Sequence, residues 1–205
     1  QPITQRDYYQ RLGQTEQNYR RFFGDRFEEI ARNLNLEKGV LEELIQEKIL
    51  SQEARRRHLK VADSELVEAV KSDPAFRDEK GNFSQERFSR IIAQVPPDDL
   101  AKFEEETRRR LLQQKLKQQV VSEGNVTVTD QEVKDYLEKN KGTPADQEQV
   151  RKMLLWQKEE KYYRDWYDQL RQKAKVVVYL QFPERPTPLS SEKENTARET
   201  STSSR

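Results

Sequence analysis

The side chains best equipped for chemistry are few and scattered. There is one histidine, His58, and no cysteine, so only carboxylates remain as metal ligands or acid–base groups. They cluster as Glu42-Glu43, Asp98-Asp99 and residues 104–106. Each cluster reads as part of a solvated helix face, with nothing nearby to raise a carboxyl pKa into a catalytic range. The six glycines stand singly, whereas a phosphate-cradling loop needs them grouped before a helix N-terminus. No catalytic residue, metal site or cofactor is assigned, and use of ATP is not expected.

Binding chemistry is better represented. Aromatic residues gather near the two ends of the chain, at Tyr8, Tyr9, Tyr19, Phe22 and Phe23 and again at Trp156, Tyr162, Tyr163, Trp166 and Tyr167. On a helix, Tyr162 and Trp166 share one stripe and Tyr163 and Tyr167 an adjacent one. One stripe is expected to face a core and the other to line a cleft. Rings bordered by Arg and Lys stems offer adaptable apolar area without a fixed pocket. The candidate binding residues are therefore Tyr9, Phe22, Phe23, Tyr162, Tyr163, Trp166 and Tyr167.

Those rings must be positioned by helices. The 205 residues are 33% hydrophobic and 37% charged, a balance that suits a helical protein with a large solvated surface. The spacing predicts helices over 4–23, 36–59, 63–72, 84–95 and 100–122, with a short one ending near 34. Val40, Leu41, Leu44, Ile45 and Ile49 form one apolar face. Asp63 is expected to cap the third long segment. Ser72-Asp73-Pro74 ends that segment, because proline lacks an amide hydrogen and biases its predecessor away from helical angles. Phe76 and Phe83 then bracket a polar loop containing Gly81. Pro96-Pro97 restarts the chain, with Asp98 or Asp99 as cap. Thr129 and Glu132 have capping-box spacing before a short helix. A helix from about 145 to 175 would span roughly 45 Å, and residues 176–180 read as a short strand.

Net charge is +1, so no broad field steers nucleic acid or an anionic surface to the chain. The arginine triplets at 55–57 and 108–110 read as salt-bridged helix faces, the alternative being a patch for an acidic partner. His58 reads as a surface helix residue. No run of 18 apolar residues, internal repeat or sustained heptad series is present. Beyond 181, prolines lead into a Ser-, Thr- and Glu-rich run that is expected to be disordered.

Residues 41–88 carry a specific order of helix, cap, helix and structured loop, including "DPAF", Gly81, Phe83 and Phe88. With "ITQRDYYQRLGQTEQNYRRFFGDRFEEI" at the start and "VTVTDQEVKDYLEKN" near 126–140, they resemble the SurA and PpiD family of periplasmic folding factors. The resemblance implies an all-α fold over 1–180, a SurA N-terminal-like chaperone domain. N-terminal helices at 1–122 and a connecting helix at 126–140 would be closed by a C-terminal helix and strand at 145–180. The final strand would pair with one near the N-terminus, and 181–205 would form a tail. In the family a parvulin-type prolyl isomerase domain follows the "VTD" segment. Here only residues 141–144 precede the next helix, whereas such a domain needs on the order of 90 residues, and there is no second histidine for its site. The implied function is an ATP-independent holdase for unfolded or exported polypeptides in the periplasm, without isomerase activity. A dedicated subunit gripping one native partner with the same fold is the alternative. The chain, opening at Gln1-Pro2-Ile3-Thr4, is expected to be a mature or trimmed form that has lost an upstream signal or membrane anchor. Homodimerisation is left open.

Overall fold

Helix α3, Leu36–Arg56, is the axis on which the other long helices pack. The computed structural model describes residues 2–140 and 146–180. Against α3 pack α1 (Gln5–Phe23), α2 (Phe27–Asn33), α6 (Pro97–Glu123) and α8 (Gln147–Lys173), while α4 (Asp63–Ser72) packs on α6, α5 (Gln85–Ile92) on the turn before it and α7 (Asp130–Lys139) on α8. Single turns at Gly24–Arg26 and Pro74–Phe76 complete the helical elements among the described residues.

The apolar face expected on α3 is real and extends further than its first half. Val40, Leu41, Leu44, Ile45 and Ile49 join Tyr8 of α1 in one buried cluster, with Leu12, Tyr167, Leu170 and Ala174 packed against it. Leu50 and Ala54 join Leu116 and Val120 of α6 in a second, covered by Leu112, Tyr162, Tyr163, Trp166 and Tyr167. Tyr167 touches both clusters, so α8 lies across the seam between α1 and α6. Going up α3 meets α8 residues of falling number, which makes the two helices antiparallel.

Helix ends follow local chemistry. Thr4 and Asp7 form a reciprocal cap on α1, each side chain accepting the other's amide at 3.1 Å. Thr129 and Glu132 do the same for α7. The C-terminus of α3 is a Schellman motif: the amide of His58 donates to Arg55 O and that of Leu59 to Ala54 O, with His58 at φ +57°. His58 is thus an exposed turn residue just past the helix. Leu59 reaches the cluster that holds Ala54, the apolar contact this motif commonly carries.

Three expectations are corrected. Asp63 is the first helical residue of α4 and not its cap. The capping position is Ala62, whose amide donates to Glu65 at 2.8 Å, while Asp63 pairs with Arg108 at 2.7 Å. Asp98 and Asp99 lie in the first turn of α6 behind Pro96 and Pro97, and Asp99 pairs with Lys102. Residues 176–180 form no ladder with the N-terminal segment. Pro2 has no amide hydrogen, and both main-chain groups of Thr4 are spent on capping α1, the amide on Asp7 and the carbonyl on Tyr8. These commitments take bonding groups that a strand pair would use. Ile3 and Leu180 both pack on the first cluster, so among the described residues the two segments meet through apolar contact.

The loop between α4 and α5 matches its sequence closely. Arg77 and Phe83 form the one β-bridge among the described residues. Asp78 accepts the amides of Lys80 and Asn82, and Gly81 takes φ +83°. Phe76 is buried, 5.1 Å from the Phe88 ring and 6.5 Å from that of Phe103 on α6. This aromatic contact docks the loop onto the helical body, a burial worth about 2 kcal/mol. The last helix, expected from about 145, starts at Gln147, where the Asp146 side chain caps it by accepting the Glu148 amide; the expected tail at 181–205 lies outside the described residues.

Candidate polypeptide-binding surfaces

Helix α1 presents its aromatic residues in two places. Tyr8 is turned inward, its hydroxyl donating to Glu37 O at 3.2 Å, while Tyr9 meets the Tyr8 ring edge-on and remains 59% exposed. Thirteen residues along, or about 20 Å, Tyr19, Phe22 and Phe23 form a group with ring centroids 5.6 Å apart. Phe22 is 83% exposed there. Beneath this end, Arg20 lies over the buried Phe27 ring and pairs with Glu28, which fixes the turn into α2. The helix therefore brings Phe22 and Phe23 together and leaves Tyr9 apart.

The four residues of α8 are more buried than the sequence suggests. Tyr163 and Trp166 stack at 5.4 Å against the α3–α6 seam. Lys117 stands over the Tyr163 ring and Arg57 over Trp166. Burial pushes the Tyr163 hydroxyl up to about 12. Tyr162 packs on Gly124, where an added Cβ would lie 2.6 Å from its ring. Tyr167 holds both clusters and buries its hydroxyl. Both stripes of α8 thus face protein, because α3 and α6 flank this stretch on two sides.

Sequence reasoning passed over Trp156, which is 61% exposed. It shares the helical stripe of Tyr163 and Tyr167 but lies toward the end of α8 that packs on α7. There Val150 and Val133 supply the buried contact, and Arg151 and Lys158 clamp the preceding segment through Val128 O and Thr127 O. The signal was present in the stripe. What was missing was where the covering helices end.

Two clefts open between these elements. The first, about 530 Å³, lies among α1, α3 and α6 and is polar: Arg11 forks to Glu43 at 2.9 Å and Glu47 at 3.2 Å, and Arg109 reaches Glu47 from the far wall. The second, about 430 Å³, lies between the N-terminal residues, α3 and residues 174–180, and is mostly apolar. None of the seven candidates lines either cleft; the second instead uses Tyr8, Ile3, Leu41, Ile45 and Ile49. Of the arginine triplets, Arg56 and Arg57 grip the buried Glu53, Arg57 also holds Glu123, and Arg108 and Arg109 are paired. They read as structural faces. Among the described residues, no three His, Asp or Glu side chains converge on a metal position, and no helix is long and apolar enough to cross a membrane.

A match to the family described as "SurA-like N-terminal domain" covers residues 1–117, more than half of the chain. No curated protein and no solved structure matches it.

Proposed function

The chain belongs to the SurA-like N-terminal domain family, and from that premise we propose that it is an ATP-independent holdase for unfolded or exported polypeptides in the cell envelope. The family is of chaperone type and typically extracytoplasmic; the periplasm is the proposed site of action. One observation carries the reading: large apolar side chains are left exposed at several separate places, among them Phe22 with Phe23 at the end of α1, Trp156 on α8, and Val176 to Tyr179 after it. A single native partner would favour one contiguous patch, whereas a chaperone gains from dispersed, adaptable contacts. Only five residues separate Asn140 from Asp146, which supports a protein without an isomerase module at that point.

The test is light scattering from a chemically unfolded client diluted into buffer with rising amounts of this protein and no ATP. Suppression near one-to-one stoichiometry, with no acceleration of prolyl isomerisation in a model peptide, is the expected result. Failure across several clients, together with tight binding to one folded protein, would establish the dedicated-partner function instead.

A further inference from the structure

Residues 176–180 have no ladder partner among the described residues. Exposure alternates along the run: Val176 is 40% exposed, Val177 65%, Val178 48% and Tyr179 91%, while Leu180 packs on the first core cluster. That period of two is the signature of a strand with one face on a core. Three successive β-branched residues followed by Tyr and Leu favour the same conformation. Yet apart from the amide of Val176, which donates to Ala174 O, the run makes no main-chain hydrogen bond among the described residues. An unpaired β-prone edge is a template for another strand.

The space beside it fits such a strand. The apolar cleft of about 430 Å³ lies between this run and Ile3, Leu41, Ile45 and Ile49. The charged residues lining it are Lys48 and Lys175, with no carboxylate among the lining side chains. The carboxylate of the nearby Asp7 already accepts the Thr4 amide. A second copy of the chain is a poor occupant, since its own segment 174–180 would bring another lysine and no acid.

We infer that this cleft is a client site, in which an extended apolar polypeptide segment flanked by an acidic residue adds a strand along residues 177–180. Main-chain hydrogen bonds would then supply affinity without sequence preference, alternate side chains would fill the hollow, and Lys48 or Lys175 would receive the carboxylate. This rests on the holdase reading and gives it a location.

The experiment uses the full chain and a fluorescein-labelled heptapeptide alternating threonine and valine and ending in aspartate. Two further versions carry N-methyl groups on either the odd or the even residues, so that each blocks one edge without removing a side chain. The expected result is saturable binding of the parent peptide, at least about tenfold weaker binding of one methylated version, and slowed hydrogen exchange at alternate amides within residues 177–180. No binding, equal binding of all three peptides, unchanged exchange, or protection of those amides already present in the free protein would each overturn the inference, as would a peptide-independent doubling of mass by sedimentation. The same preparation is tested for suppression of aggregation. Suppression without peptide protection rejects this site and leaves the holdase function standing, whereas loss of both rejects the function itself.

Discussion

Gly124 has an ordinary helical conformation, so its lack of a side chain serves space and not backbone freedom. The Tyr162 ring occupies the place where a Cβ would sit, 2.6 Å away. Gly124→Ala is expected to cost about 1–3 kcal/mol, as overpacking does, and Tyr162→Leu in the same chain should recover part of that loss. Urea unfolding of the two single variants and the double variant measures the coupling; strict additivity would show that the ring is not the obstacle. His58 presents the opposite case. Its φ of +57° is a position where glycine costs nothing. His58→Gly should raise stability by up to about 1 kcal/mol, read as a shift of the urea midpoint at constant slope. A drop in stability would mean that the imidazole makes a contact worth more than the backbone strain.

Between elements, ion pairs do the joining that a charge-rich sequence allows. Glu132 caps α7 through the Thr129 amide and at the same time takes Lys158 of α8 at 2.6 Å. Lys158 first, and then the Thr129 amide, hold its carboxyl down to about 2 from an ordinary 4.5. Since the folded value is the lower one, the α7–α8 clamp contributes fully above about pH 4.5 and is lost as pH falls through about 2. The thermal midpoints of wild type and Glu132→Gln should therefore differ above pH 5 and converge toward pH 2; a gap that stays constant would deny the linkage. The Thr129 and Glu132 pair was legible because a capping box is a local pattern, as were the Asp73-Pro74 stop and the Phe76 to Phe83 loop. Asp63 and Asp99 were misplaced by a residue or more. Proline at 97 and the reach of Glu65 back to Ala62 met the helix starts in other ways. The strand pairing failed on donors: β propensity at 176–178 was readable, but the commitment of Thr4 to its own cap follows from the fold of α1. How much of α8 is covered depends on where α3, α6 and α7 lie, which no single-helix pattern encodes.

At the scale of the molecule, the aromatic residues divide into those that hold the body together and those that could meet a client. Both groups looked alike in the sequence. Tyr163, Trp166 and Tyr167 complete the seam between α3, α6 and α8, so replacing them is expected to destabilise the protein. Trp166→Ala should cost about 3 kcal/mol and also forfeit the Arg57 contact at 5.6 Å. Phe22 and Trp156, with at least three-fifths of their surface in solvent, touch too little for their loss to matter to stability. A combined Phe22→Ser, Phe23→Ser and Trp156→Ser variant, in which Phe23 at 40% exposure is the most covered of the three, should thus keep its unfolding free energy within about 2 kcal/mol of wild type. It should nevertheless need several-fold more protein to suppress aggregation of the same client. Stability by urea unfolding and suppression by light scattering, measured on both variants, separate the two roles. Unchanged suppression in the stable triple variant would remove these three rings from the binding surface and leave the open edge at residues 177–180 to account for it.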